Sequence, residues 1–213
     1  MNVKLKKLHN KYTRGPYADK FFDLIFTHSD IVRQIALNIA DNLSQSDIVI
    51  NKDLVESGSL LHDIGVYQCF DDELNADRSL PNYLCHGHEG YKLLKKEGYS
   101  EQVARFALTH TGTGITKEDI KRENMPFEFQ DFIPVTLEEE IVCYADKFHT
   151  KWPSFNTFEE AKARLEKFDS SKGIIMNRFK MKFGSPNLSD LQRKYENWHK
   201  NMEVFFNSLP KSV

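Results

Sequence analysis

Apolar residues in this chain recur at steps of three and four, and nowhere is a step of two sustained. That period constrains the fold most, because a helix returns a side chain to the same face every 3.6 residues, whereas a half-buried strand alternates. Phe21 to Leu43 reads as the first long helix, with Val32, Ile35, Ala36, Ile39, Ala40 and Leu43 on one face. His28 lies one turn before Val32 and shares that face. Near the other end Leu188, Leu191, Tyr195, Trp198, Met202, Phe205 and Leu209 form a seam of alternating steps. Such a seam packs either against the rest of its own chain or against a second copy, as in a homodimer. The expected fold class is all-α, a helical bundle with extra C-terminal helices.

Local signals place the intervening helices. Asp53 to Gly65 is predicted as the second, and residues 66–82, with Asp71, Asp72, Asp77 and Pro81, as an irregular loop. His86 to Glu97 reads as a short helix stopped by Gly98, the residue type that most easily ends one. Ser100 is an N-cap for a helix whose buried stripe is Val103, Phe106, Ala107 and His110. Residues 121–135, with Pro126, Pro134 and several aromatics, are expected to form a surface loop. Thr136 with Glu139, and Thr157 with Glu160, are capping boxes that start two more helices. The first runs through Ile141, Ala145 and Phe148, with Asp146 on its shoulder, and Gly184-Ser185-Pro186 breaks the chain before the last helix. At 213 residues the chain suits one domain, 1–213, with a core at about 21–150 and a helical extension at about 151–213.

Composition narrows the partners. A net charge of −2 and a pI near 6.5 give no nucleic-acid footprint, which would show as a basic stripe. Lys4, Lys6, Lys7, Lys11 and Arg14 are followed by no apolar run, and no stretch is long enough to span a membrane. The three cysteines, Cys69, Cys85 and Cys143, are scattered and odd in number, which fits a reducing cytoplasm better than a disulfide framework.

Chemistry concentrates at Ser59-Leu60-Leu61-His62-Asp63-Ile64-Gly65. A histidine and an aspartate among apolar neighbours are costly to bury unless something pairs with them. A divalent metal suits both donors, and backbone hydrogen bonds at a helix end are the other reading. Candidate donors recur as His28, His62-Asp63, His86, His110 and Asp146, each on a separate predicted helix except the adjacent pair. Helical bundles build metal sites from such inward-facing side chains. His88 falls on a different face from His86 and is expected at the surface or behind the ligands. Thr111-Gly112-Thr113-Gly114 offers hydroxyls and unhindered amides to phosphate oxygens, or is a plain helix-ending turn.

The ordered set resembles the HD-domain superfamily of metal-dependent phosphohydrolases, and His62-Asp63-Ile64-Gly65 spells its HDIG variant, over roughly residues 25–150. In single-metal members the resemblance assigns His28, His62, Asp63 and Asp146; two-metal members add two histidines, and His86 and His110 fill those places. It therefore implies two divalent ions (Fe, Mn, Zn, Ni or Co, with Mg admissible). Asp63 would bridge them, with His28, His62 and Asp146 on one and His86 and His110 on the other. The implied reaction is hydrolysis of a phosphate ester or anhydride of a small molecule, a nucleotide or dinucleotide, by a metal-activated hydroxide. Asp63 would orient that hydroxide, Lys147 would offset phosphoryl charge, and Thr111, Gly112 and Thr113 would bind substrate. His86-Gly87-His88-Glu89-Gly90 and His110-Thr111-Gly112 are similar to bacterial HD enzymes that hydrolyse diadenosine tetraphosphate, although residues 111–135 and the C-terminal helices differ. No Gly-Tyr-Pro follows His110, which sets the cyclic-dinucleotide branch aside. The alternative is a non-catalytic helical regulatory or binding protein with a structural metal.

Overall fold

The computed structural model describes residues 3–45, 48–70 and 83–209. Over these residues the protein is all-α apart from one two-stranded hairpin. The helices are α1 (Val3–Tyr12), α2 (Ala18–Ser44), α3 (Lys52–Leu61), a 3₁₀ turn (Ile64–Gln68), α4 (His86–Lys96), α5 (Glu101–Thr109) and α6 (Lys117–Arg122). They continue as α7 (Leu137–Asp146), α8 (Phe158–Glu166), α9 (Ser170–Phe183) and α10 (Ser189–Ser208). Strands β1 (His149–Thr150) and β2 (Ser154–Phe155) pair antiparallel, with His149 opposite Phe155. Among the described residues no helix is long and apolar enough to cross a membrane.

Capping explains several boundaries. Thr136 and Thr157 each accept a hydrogen bond from the backbone N–H three residues on, and the Glu139 and Glu160 carboxylates accept one from the cap's backbone N–H. Ser100 accepts from the Val103 N–H, and Gly98 sits at φ +80, the left-handed region that favours glycine. Differences from expectation are local. The first helix starts at Ala18, α1 precedes it, and α6 occupies part of the expected 121–135 loop, opened by a capping box at Thr116. The second helix stops at Leu61 rather than Gly65, and the 3₁₀ turn takes over the start of the expected 66–82 loop. Residues 71–82 of that loop lie outside the described residues.

Two apolar clusters flank the middle of α2. One gathers Ile31, Val32, Ile35, Ile39, Phe106, Ile141, Tyr144, Phe148, Leu165, Met176 and Phe179, so helices on both sides of residue 150 share it. The other gathers Leu5, Leu8, Phe21, Ile25, Leu60, Ile64, Tyr67, Leu94 and Met202. The C-terminal seam bridges the two: Leu188, Leu191 and Tyr195 pack on the first, Met202 and Phe205 join the second, and Trp198 touches both. Trp198 Nε1 donates to Asp23 at 2.9 Å and the Tyr195 hydroxyl to Asp30 at 3.1 Å, which fixes α10 along α2. The seam is therefore used within the chain.

His9 ties α1 to the back of α3. It is fully buried, donates from Nε2 to the Leu60 carbonyl at 2.7 Å, and faces the Tyr67 hydroxyl at 3.1 Å through Nδ1. Burial holds the imidazole neutral, its pKa pushed down to about 4 from 6.5. Because the unfolded chain binds that proton more readily, the contribution is complete above pH 6.5 and is lost as pH falls toward 4. At about 1.4 kcal/mol per unit this amounts to roughly 3 kcal/mol. Urea titrations at pH 7.5 and pH 4.5 should show a smaller pH-dependent loss in His9→Gln than in the parent; equal losses would contradict it.

Candidate metal centre

The adjacent His62 and Asp63 reach the same point because the helix ends between them and their neighbours. On a regular helix consecutive side chains diverge by about 100°. Here α3 ends at Leu61, His62 keeps helical angles, and Asp63 turns to φ −102, ψ 8 as the chain tightens into the 3₁₀ turn. That bridge region is sparsely populated and common at active sites. Glycines then bring the other elements close. A Cβ on Gly65 would stand 2.0 Å from the His86 carbonyl and 2.3 Å from the Gly90 nitrogen, and one on Gly87 would stand 2.8 Å from the Ala107 carbonyl. Only without those side chains can the 3₁₀ turn, α4 and α5 approach so closely and hold His86 and His110 over Asp63.

The structure brings all six sequence-predicted donors together. His28 comes from α2, His86 opens α4, His110 caps α5 and Asp146 ends α7. Asp63 lies at the centre, with no exposure. Its Oδ2 is 3.2 Å from His28 Nε2 and 3.5 Å from His62 Nε2, while its Oδ1 is 3.3 Å from His110 Nε2 and 3.5 Å from His86 Nε2. Asp146 Oδ1 is 3.1 Å from His28 Nε2 and 3.3 Å from His62 Nε2. Three overlapping groups, His28-His62-Asp63, His62-His110-Asp146 and Asp63-His86-His110, each bring their ligand atoms within 4.8 Å of one another.

The donor chemistry fits a cation. His62 Nδ1 donates to the Ser59 carbonyl at 2.7 Å, His86 Nδ1 to that of Tyr83 at 2.6 Å, and His110 Nδ1 to that of Ala107 at 2.8 Å. A carbonyl only accepts, so in each neutral ring the proton stays on Nδ1 and the Nε2 lone pair points inward. His86 Nε2 and His110 Nε2 face each other at 3.0 Å, two lone pairs without a proton between them. Burial and the neighbouring His110 push the His86 pKa down to about 3, and burial lowers that of His110 as well. His62 Nε2 and both Asp63 oxygens are buried without hydrogen-bond geometry to any partner. A divalent ion would satisfy the lone pairs that this set turns inward.

Two lysines neutralise the acids from one side. Lys151 Nζ stands 2.6 Å from Asp63 Oδ2, an ion pair by distance, and Lys147 Nζ is 2.5 Å from Asp146 Oδ2 and 3.0 Å from the His110 carbonyl. Burial alone would raise the Asp63 pKa, but the Lys151 charge outweighs it and holds the carboxyl well below its usual range. For Asp146 the Lys147 charge does the same. His28 runs the other way: burial opposes its charge, yet the Asp146 and Asp63 carboxylates beside its Nε2 raise its pKa.

The centre opens on a cavity of about 320 Å³ whose walls include Lys147, Lys151, Ile115, Leu165, Arg164 and Phe168. Thr111 and Gly112 line it, whereas Thr113 is buried outside the lining. Lys151 and Arg164 gave no sequence signal: one lies in a short hairpin and the other on a capped but otherwise ordinary helix. His149, 2.9 Å from His28, joins the site from outside the expected donor set, and its place three residues after Asp146 is the one signal for it in the sequence.

His88 is neither at the surface nor behind the ligands. It is half-buried, stacked on Phe127 at 3.8 Å between ring centres and edge-on to Phe132 at 4.4 Å. Replacing His86 with Ala should remove metal from the centre, while His88→Ala should keep it and cost about 1 kcal/mol of packing. Equal loss of metal in two folded variants, by elemental analysis, would contradict this placement.

Four imidazoles and two carboxylates gathered at the crossing of several helices define a helical protein with a cluster that could hold a metal ion. The HD domain family profile matches residues 25–151, and the chain belongs to that family. A segment of 124 residues is 35% identical to tRNA (cytidine(56)-2′-O)-methyltransferase of Picrophilus torridus, covering 58% of this chain and 31% of that protein. An uncharacterized protein of Methanocaldococcus jannaschii is 34% identical over 129 residues, covering 60% of this chain and 68% of its own. The chain thus spans about a third of the methyltransferase and two thirds of the second relative. Among solved structures, the HD domain of the L. monocytogenes phosphodiesterase PgpH superposes with a TM-score of 0.50 at 19% identity, covering 96% of this chain and all of that one. The same domain has been solved with cyclic-di-AMP, at 18% identity. At that identity the likeness concerns the fold.

Proposed function

We propose that this protein is a metal-dependent phosphohydrolase that cleaves a phosphate ester or anhydride of a nucleotide or dinucleotide. The observation that supports it most is the division of the Asp63 carboxylate, one oxygen toward His28 and His62 and the other toward His86 and His110. On this reading His28, His62, Asp63 and Asp146 hold one divalent ion and Asp63, His86 and His110 a second. The ions would supply Lewis-acid polarisation of a phosphoryl oxygen and a lower pKa for attacking water.

The remaining steps fall to the chain's own residues. Asp63, anionic and shielded from solvent, orients the attacking water. Lys147 and Lys151 carry positive charge at the cavity wall and offset the charge that develops on the phosphoryl oxygens. Thr111 and Gly112 border the same space and bind its phosphate end. Away from the centre the lining turns apolar at Ile115, Leu165 and Phe168, with Arg164 held by the Asn156 side chain at 3.2 Å. A flat aromatic group such as a nucleobase suits that wall, which a sugar phosphate or pyrophosphate would leave uncovered. The cyclic-di-AMP bound by the structural neighbour is of the same chemical class.

A second reading is supported by the methyltransferases, in which the matching segment is 31% of the protein. There the segment would be a regulatory or binding module around a structural metal. One experiment separates them: metal-loaded protein screened against mononucleotides, linear and cyclic dinucleotides, sugar phosphates and pyrophosphate. Nucleotide hydrolysis that chelation abolishes and metal restores is the expected result. Failure on every substrate by protein carrying two ions would favour the module. Elemental analysis should find two ions per chain, and at most one in saturated protein would sink the two-ion arrangement.

A further inference from the structure

We infer that His149 and His199 form a hydrogen-bonded relay that locks the ligand His28 in one tautomer, so that the C-terminal helix completes the metal centre. The inference rests on the metal reading of that centre and concerns residues the reading does not use. His28 Nδ1 lies 2.9 Å from His149 Nδ1, and His149 Nε2 lies 3.1 Å from His199 Nε2. The three rings follow one another at centroid spacings of 5.1 and 5.3 Å, tilted by 28° and 21°. His28 and His149 are 1% and 2% exposed, so water does not substitute for either bond, while His199 is half-buried on α10 between Phe155 and Trp198.

The direction of the relay follows from proton counting. A neutral imidazole has one N–H and one lone pair, and each N···N contact needs one of each. If His28 is to offer Nε2 to a metal, its proton sits on Nδ1 and is donated to His149 Nδ1. His149 must then carry its own proton on Nε2 and donate it to His199 Nε2, leaving the His199 proton on Nδ1. The reverse order would put a proton on His28 Nε2, between the Asp63 and Asp146 oxygens where the ion belongs.

His28 needs this device and the other ligands do not. His62, His86 and His110 each give Nδ1–H to a backbone carbonyl, an acceptor that cannot reverse. His28 faces another imidazole, which can give or take a proton, so its tautomer is tied to the direction of the bonds through His149 to His199. His199 comes from a helix outside the stretch matched by the family. His149 and His199 are positioning residues: they touch no reacting group and act through His28. Partners of this kind typically change metal affinity 10- to 100-fold.

The test uses the full chain, with Co²⁺ competed against a chelating dye at fixed pH. His199→Phe keeps the ring packing but accepts no hydrogen bond, whereas His199→Gln can accept the same bond through Oε1. Co²⁺ affinity should fall about tenfold in His199→Phe and stay within about threefold in His199→Gln. In the Zn²⁺-loaded parent, side-chain ¹⁵N spectra should show His28 protonated on Nδ1, a readout that does not depend on either variant folding. Parental Co²⁺ affinity in a folded His199→Phe, an equal loss in both variants, or a His28 Nδ1 without its proton would each overturn the relay. A parent that binds neither metal would overturn the metal reading itself, and the relay with it.

Discussion

Asp63→Asn should leave the protein folded and its best phosphate substrate essentially unhydrolysed. The substitution keeps the size of the side chain and removes the charge that both halves of the centre share. Asp63 Oδ2 serves His28 and His62, Oδ1 serves His86 and His110, and neither oxygen makes a geometric hydrogen bond that an amide could reproduce. An amide is a poor bridge between cations, and it leaves Lys151 without its partner at 2.6 Å. Each tenfold fall in rate is about 1.4 kcal/mol of barrier. Losing the shared ligand and the oriented water together should raise the barrier on the order of 4 kcal/mol or more. Circular dichroism should be unchanged, because the two apolar clusters contain no part of the centre's charge. Activity within tenfold of the parent, with metal present, would place the reaction elsewhere.

The second large effect is on stability and comes from one methyl group. Gly65→Ala would set a Cβ 2.0 Å from the His86 carbonyl and 2.3 Å from the Gly90 nitrogen, both backbone atoms that cannot rotate away. The 3₁₀ turn and α4 would have to separate, opening a fully buried contact. Overpacking of this kind costs roughly 3 kcal/mol and occasionally more. Because the same movement carries His86 away from Asp63, metal content should fall with the melting temperature. By contrast, Gly98→Ala places its Cβ in open space and adds only the strain of φ +80. A Gly65→Ala protein as stable as the parent and fully metallated would show that this contact does not position the centre.

The helical class and the gathering of the six candidate donors were legible in the sequence for the same reason. Side chains facing inward repeat at helical spacing, and the six donors fall on or next to such stripes. Asp146, on the shoulder of its helix, was the weakest of these by periodicity, yet its carboxylate reaches His28 at 3.1 Å. Capping chemistry at Thr136, Thr157 and Ser100 is local, so those boundaries could be read directly. The end of α3 at Leu61 could not, because apolar Ile64 continues the helical pattern while the backbone tightens to meet α4. Lys151 was invisible for a related cause: its contact with Asp63 joins residues 88 positions apart, and nothing near it in sequence marks it. His88 was misplaced because Phe127 and Phe132, which cover it, lie in a segment read as a surface loop.

Anomalous diffraction from crystals of the Mn²⁺-loaded protein tests the central claim most directly. Two peaks are expected at the buried centre, sharing Asp63, with His28, His62 and Asp146 around one and His86 and His110 around the other. Manganese bound away from these six side chains, or no bound manganese at saturating concentration, would contradict the account.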